Sequence, residues 1–375
     1  MTDHKLSDLR NEIDQIDKQI AELLSKRMNI TDRVGKLKNE NNLAHDDPDR
    51  EENVIDNLKS QICHPILHEE IELIYQPLID LVKKSYTLQK NKQTLPWNHI
   101  GVIGLGVIGG SIIKALKAIG YEGDISTIKR EGSASNAEAR EHGYISKEYD
   151  SPEELASHVD LLILASPIAT VEPIAKQIRE RTQRNTKLTV IDTASIKRHI
   201  GTTFEELTTD TIEFLPTHPM AGSDKSGFEN GKATMFVYNP WVICPHDKSD
   251  SQTMKQIESL VSSFGAIPHA LSSAKHDTYV ASSSHLVRLV SMIMFAFIND
   301  KKNEAMQISG TGFEKMSALT SSNSLMNKQI YNGNFAHIQD ELNEFSTYLS
   351  SFHLSENDSL AFFEKYKSLR DQFVA

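Results

Sequence analysis

"HIGVIGLGVIGGSIIKALKAIG", residues 99–120, holds the grammar that decides the fold of this chain. It opens as a short apolar strand, turns on Gly104, Gly106 and Gly109, and continues as an amphipathic helix. A strand, a G-x-G-x-x-G turn and a helix, in that order, predict the first unit of a dinucleotide-binding α/β domain. The glycines permit a tight turn and let a pyrophosphate approach the helix N-terminus. Ile108, inside the turn, belongs to the same candidate cofactor site. The alternation continues with "DISTIKR" (124–130), "VDLLILASP" (159–167) and "LTVIDTAS" (188–195) as strands between helical stretches, the pattern of a parallel sheet.

On either side the grammar changes. Upstream, Leu6, Leu9, Ile13, Ile16, Ile20, Leu23, Ile30, Val34 and Leu37 recur every three or four residues, so 5–42 reads as one helix. Pro48 marks the start of a second helix over 49–62, and a third is predicted over 66–90, kinked at Pro77. "QKNKQTLPWNH" (89–99) reads as a polar linker. Downstream of Ser273 the strands stop and helices run to Ala375. The expected organisation is multidomain, α and α/β: a helical segment 1–92, a Rossmann-type nucleotide-binding domain 97–272, and an all-helical domain 273–375.

The 375 residues are 39% hydrophobic and 24% charged, which suits a globular protein of two or three domains. A net charge of −11 argues against nucleic acid as a partner. Cys63 and Cys244 are far apart and form no metal-ligand or redox spacing, so no metal is expected and the chain reads as cytoplasmic. The polar N-terminus is no signal peptide, and no run of 18 apolar residues predicts a membrane span.

One position breaks the apolar comb of the first helix. Arg27 stands where a hydrophobic residue belongs, and Lys38 follows eleven residues later. That spacing is about 20° of rotation and about 16 Å of rise, so both cations share one face with room for a small dianion between their side chains. Arg10 lies about 25 Å from Arg27 and roughly a quarter turn away, so in a common site it must come from a second copy. "DDPDRE" supplies Asp47, Arg50 and Glu51, and "KKSYTLQ" places Ser85 and Gln89 on one helix face. On periodicity alone, a dimerisation stalk with a snorkelling arginine serves equally well.

In the α/β domain the second strand ends in "STIKREGSAS", where Lys129 and Arg130, followed by Ser133 and Ser135, suit a 2′-phosphate. NADP is therefore favoured slightly over NAD, which Glu131 still allows. Ser166 in "LASPI" is expected beside the nicotinamide ribose. His218 precedes Pro219 in "PTHPMAGSDKSGF", which holds its backbone extended in a Gly- and Ser-rich loop near the cofactor crevice.

Residues 1–92 resemble the all-helical bacterial chorismate mutases, which form an intertwined dimer of three-helix chains. The resemblance implies that Arg27 and Arg10, the latter from the partner copy, hold the two carboxylates of chorismate. Lys38 and Gln89 would meet the ether oxygen, Glu51 the ring hydroxyl, with Asp47, Arg50 and Ser85 supporting the pocket. Residues 97–375 resemble the prephenate dehydrogenases, a family that includes arogenate dehydrogenases, through GLGVIGGS, SPI, DTASIK, THPMAGSDKSG, KHD and SSHL. That resemblance implies a homodimer, His218 as the base for the ring 4-hydroxyl, Ser195 orienting the hydroxyl and His218, and Asp224 in a gating loop. It also adds His285 and Arg288 to the substrate-binding set. Together the two implied activities convert chorismate to prephenate and then to 4-hydroxyphenylpyruvate. Two positions depart from the pattern: Arg288 replaces a second histidine, and Ala318 replaces an arginine that grips a substrate carboxylate. Arg288 could supply that charge, or the substrate could be the 4-amino-4-deoxy analogue. A third reading leaves 1–92 as a non-catalytic dimerising or sensing module.

Overall fold

The structure, a computed structural model, describes residues 2–41, 43–44, 46–223, 225–355 and 357–374. They fall into two compact units, Met1–His276 and Asp277–Ala375.

The first unit opens with α1 (Thr2–Glu40), α2 (Pro48–Gln61) and α3 (Pro65–Lys90). The Asp47 carboxylate accepts the Arg50 N–H at 3.1 Å and Pro48 fills the first helical position, which together start α2. α3 runs on through Pro77. The carbonyl that loses its partner there belongs to the exposed Leu73, where water can replace it. α1 and α3 approach closely at Gly35, where a Cβ would stand 2.5 Å from the Tyr86 ring. Most of the apolar comb stays uncovered all the same: Leu9, Ile13, Ile16, Leu23, Ile30 and Leu37 are each more than half exposed.

The α/β part follows as β1 (His99–Ile103), α4 (Val107–Ala118), β2 (Asp124–Ile128), α5 (Ala134–Glu141), β3 (Lys147–Tyr149), α6 (Pro152–His158), β4 (Leu161–Leu164), α7 (Ile168–Arg181), β5 (Leu188–Asp192), α8 (Arg198–Leu207) and β6 (Ile212–Leu215). The strands form one parallel sheet in the order β3-β2-β1-β4-β5-β6. Every residue of β4 is buried, as expected of a strand covered on both faces. The direction of winding reverses between β1 and β4, and the glycine turn sits beside that crevice.

A second sheet, not anticipated from the sequence, contains β7 (Thr217–Pro219), β8 (Pro240–Ile243) and, after α9 (Ser251–Ser263), β9 (Ile267–Ala270). β7 is antiparallel to β8, with His218 opposite Val242. Asp192, at the end of β5, ties β7 in place. Its carboxylate accepts the Thr217 N–H at 3.0 Å, the Ala194 N–H at 2.9 Å and the Lys197 ammonium. Neither Asp192 nor Lys197 has any exposed surface.

The stretch expected as a linker is a packed joint. Leu88, Leu95 and Trp97 belong to the same buried cluster as Ile100, Ile112 and Trp241. Burying such side chains contributes about 1.5–3 kcal/mol each, which holds the end of α3 on the sheet domain.

In the second unit, α10 (Ser273–Val280), which begins in the first, passes through a π-helical turn, Ala281–Leu286, into α11 (Val287–Lys301). The helices α12 (Thr311–Ser317), α13 (Ser324–Gly333), α14 (Phe335–Ser351) and α15 (Ser359–Val374) complete it. α11 packs against the short turn Ala318–Ser321, and the Ser291 hydroxyl donates to the Met316 carbonyl at 2.7 Å. By length and composition alone the helical run Ser273–Lys301 could cross a membrane, although it contains no unbroken apolar run of that length.

Two outcomes follow from the ion pairs of this unit. Lys197→Met leaves the Asp192 carboxylate buried without its counter-ion, so the denaturant midpoint should fall by the equivalent of about 3–5 kcal/mol. The hydrogen bond from Lys187 at 2.8 Å, ahead of the α9 N–H groups it caps, holds Asp250 down to about 2. Its folded value lies below its unfolded one, so this stabilisation is complete above the ordinary aspartate range and drains as pH falls through about 2. Asp250→Asn should flatten that part of the acid-unfolding curve followed by circular dichroism.

Candidate active sites

The first candidate site lies where α1, α2 and α3 meet. Arg27 is half-buried, its guanidinium 6.0 Å from the Tyr75 ring centroid, and its Nη1 is buried with no hydrogen-bond partner among the described residues. An orphaned, charged donor of this kind costs free energy until an anion meets it. Lys38 is also half-buried on the same helix, whereas Arg10 and Arg50 are exposed. Glu51 pairs with Lys83 at 2.9 Å, and the same ammonium lies 3.4 Å from Asp46. The hydrogen bond that Lys83 donates to Glu51, foremost, pushes the Lys83 pKa up. Asp47 serves as the cap of α2.

Ser85 and Gln89 do share a face, and both turn to a residue that the sequence reading did not single out. Asp32 accepts the Gln89 Nε2–H at 2.7 Å and the Ser85 hydroxyl at 3.4 Å. Because a carboxylate only accepts, Gln89 must present nitrogen to Asp32, and its Oε1 is left buried without a partner among the described residues. Asp32 was hidden because one polar position in a long amphipathic helix carries no local signature. Its partners are 53 and 57 residues away.

The glycine turn has the form a dinucleotide requires. Gly104 has φ +99°, and a Cβ there would lie 2.5 Å from the Ala165 carbonyl oxygen. A Cβ on Gly109 would meet the Gly104 carbonyl oxygen. Gly106 caps α4 and has open space where a Cβ would point, which leaves the helix N-terminus approachable. Ile108 packs against the core beneath the turn. These residues fit a bound dinucleotide. At the end of β2, Lys129 and Arg130 are exposed, and Lys129 lies 3.9 Å from Asp150. The two serines nearby are already engaged. Ser133 caps α5 by accepting the Asn136 N–H, and the Ser135 hydroxyl accepts the Phe228 N–H at 3.2 Å. Lys129, Arg130 and the O–H of Ser135, which only accepts in its contact with Phe228, still suit a 2′-phosphate. The Ser166 hydroxyl accepts from Thr170 at 2.9 Å, at the end of β4.

His218 stands on β7, 8% exposed, with its Nδ1 2.9 Å from His276 Nε2. The two rings meet edge to face with centroids 5.1 Å apart. Ser195 is half-buried in the turn between Asp192 and Lys197. The His218 ring shares a hydrogen bond with His276 of the KHD stretch. Long sequence separation hid this pair too. Asp224 lies outside the described residues. Further along the chain, the carbonyls of Phe228 and Gly231 accept from Lys114 at 2.9 and 3.0 Å.

In the second unit, His285 is buried on the π-helical turn with Nδ1 3.3 Å from Asn334, whose amide donates to the Asp277 carbonyl at 2.8 Å. Arg288, one turn on, has a buried Nε with no partner among the described residues, and burial lowers its pKa. The helix that bears it packs on the turn beginning at Ala318.

Known families account for nearly all of this architecture. The family model "Chorismate mutase type II" matches residues 9–86. "Prephenate dehydrogenase, nucleotide-binding domain" matches 112–268, and "Prephenate dehydrogenase, dimerization domain" matches 272–363. The chorismate mutase of Methanocaldococcus jannaschii is 31% identical over 96 residues, 24% of this chain and 97% of that protein. The T-protein of Enterobacter agglomerans is 25% identical over 284 residues, 74% of this chain and 66% of that protein. Among solved structures, the prephenate dehydrogenase of Aquifex aeolicus, in complex with hydroxyphenyl propionate and NAD+, superposes with a TM-score of 0.66 at 22% identity. The match covers 76% of this chain and 100% of that one. A type II chorismate mutase continued by both domains of a prephenate dehydrogenase places the chain in the family of bifunctional chorismate mutase–prephenate dehydrogenases.

Proposed function

We propose that this enzyme rearranges chorismate to prephenate in its helical segment and then oxidatively decarboxylates prephenate to 4-hydroxyphenylpyruvate. The observation that carries the first step is the orphaned guanidinium of Arg27, a buried cation waiting for a carboxylate. The rearrangement is intramolecular and needs no nucleophile, only a substrate held in its reactive shape and positive groups where charge develops. Arg27 binds one carboxylate, and Arg10 of a second copy binds the other. Lys38 and the free N–H of Gln89 donate to the ether oxygen as its C–O bond breaks. Glu51 holds the ring hydroxyl, while Asp47, Arg50 and Ser85 support the pocket. The naked comb of α1 supports the second copy, since a homodimer buries that stripe. The apolar residues Val287, Ile293 and Phe297, exposed on α11 in the segment matched as a dimerization domain, favour the same assembly over a membrane.

For the second step, His218 takes the proton of the ring 4-hydroxyl. That role sets the tautomers of the buried pair: His218 donates its Nδ1–H to His276 Nε2, and His218 Nε2 is the atom that takes the proton. His276 is thus a positioning residue, and it stabilises the imidazolium that forms. Ser195 orients the substrate hydroxyl. Arg288 meets a substrate carboxylate, with the buried His285 beside it, so the charge absent at Ala318 comes from the helix packed against that turn. Loss of the ring carboxylate as carbon dioxide leaves the aromatic product. A bound nicotinamide dinucleotide, held by Gly104, Gly106, Ile108, Gly109 and Ser166, supplies the hydride acceptor. Lys129 and Arg130 favour NADP over NAD.

The two sites should fail independently. His218→Asn should lower dehydrogenase turnover by about 10²–10⁴-fold and leave chorismate loss unchanged. Arg27→Ala should abolish chorismate loss and leave prephenate oxidation intact. Absorbance assays on chorismate and on the reduced cofactor separate the two effects, and a retained activity in either variant would overturn the corresponding assignment. Lys129→Asp should move the kcat/KM ratio from NADP toward NAD, and an unmoved ratio would place cofactor discrimination elsewhere.

A further inference from the structure

The last turn of α3 is held on two opposite sides, and the two grips belong to different parts of the enzyme. Ser85 and Gln89 face Asp32 on α1. Two residues along a helix is about 200° of rotation, so Thr87 and Asn91 look the other way. There they meet the dehydrogenase part. The Thr87 and Tyr238 hydroxyls are 2.8 Å apart, the Asn91 amide donates to the Ser262 carbonyl at 2.9 Å, and the Thr87 Cγ2 lies 3.0 Å from where a Cβ on Gly265 would be. Leu88, between them, is buried in the core cluster of the sheet domain.

The dehydrogenase side of this clamp is conformationally unusual. Tyr238 is the one non-glycine residue with positive φ, 66°, among the described residues, and its N–H donates at 2.8 Å to the carbonyl of Gly265, itself at φ +74°. A tyrosine in the left-handed region costs free energy and persists only where its surroundings hold it there. Tyr238 is 55% exposed, so core packing of its ring does not account for the conformation. What the conformation achieves is to bring its hydroxyl to Thr87.

We propose that Tyr238 and Gly265, residues of the dehydrogenase part, position the mutase reaction by fixing the turn of α3 that carries Ser85 and Gln89. This rests on the reading above that Gln89 lines the chorismate pocket. Tyr238 touches no reacting atom. It acts through Thr87 and the helix backbone, so it limits how far the Gln89 amide can drift from Asp32 and from the breaking ether bond.

The test uses the full-length enzyme and both activities. Tyr238→Phe and Thr87→Val each remove the hydroxyl contact while keeping size, and each should lower mutase kcat about 3–10-fold with KM nearly unchanged. Thr87→Ser, which keeps the hydroxyl, should restore the rate, and the double variant Tyr238→Phe/Thr87→Val should be no worse than either single one. Dehydrogenase kcat/KM reports that the protein is folded and should stay within about twofold in these variants. Gly265→Ala, which wedges a methyl against Thr87 and Val237, should cost the mutase more than the hydroxyl deletions do. If the mutase rate is unmoved in the hydroxyl variants, or if mutase and dehydrogenase fall together, the positioning role is wrong. Gln89→Ala separates the two layers of inference. A severe mutase loss there with intact Tyr238→Phe activity overturns only the clamp, whereas full activity in Gln89→Ala overturns the pocket reading and the clamp with it.

Discussion

A carboxylate with no access to water anchors the strand that carries His218. Asp192 ends β5, and an isolated charge in that position would be untenable. It is tolerable because Lys197 and two backbone N–H groups converge on it, and one of those groups belongs to Thr217. The pair thereby joins the parallel sheet to the small second sheet, and the next residue along the tether is His218. Placement of His218 is therefore a consequence of charge burial: β7 cannot shift without stripping a buried anion of a donor. Removing a partner from such an arrangement costs far more than the intact pair gains, which makes it rigid rather than merely stable.

The mutase half follows an opposite logic. There the charges are left incomplete, with a buried guanidinium nitrogen on Arg27 awaiting a partner. Unsatisfied groups of this sort are a liability in a structural core and an asset in a binding pocket, since a ligand recovers the free energy they cost. The same helix leaves its apolar comb open, so one element is unfinished in two ways, electrostatically at Arg27 and hydrophobically along its comb.

Features encoded in short, local patterns were legible in the sequence. The turn at Gly104, Gly106 and Gly109 appears where expected because tight turns and helix starts depend on neighbours only. The three N-terminal helices fall within a few residues of the periodicity that predicts them. What escaped notice depends on distant partners. The joint around Leu88, Leu95 and Trp97 lies in a stretch whose polar residues suggest a linker, and its three apolar anchors acquire meaning only against the sheet. β7, β8 and β9 are three or four residues long, too short for alternation to show. Ser133 also caps a helix and Ser135 also accepts a loop N–H, contacts that no local pattern announces. Asp32 and His276 join partners more than fifty residues away.

The π-helical turn Ala281–Leu286 has a consequence of its own. A wider turn accommodates roughly one extra residue, so everything downstream is rotated by about 100° relative to an unbroken α-helix. Arg288 begins that downstream stretch. A lineage that lost a single residue from Ala281–Leu286 would keep the helix, the hydrophobicity and every named side chain, and yet would swing the guanidinium and the Ser291–Met316 contact to a different azimuth. In this segment the length of the chain, as much as its composition, carries the aim of the arginine.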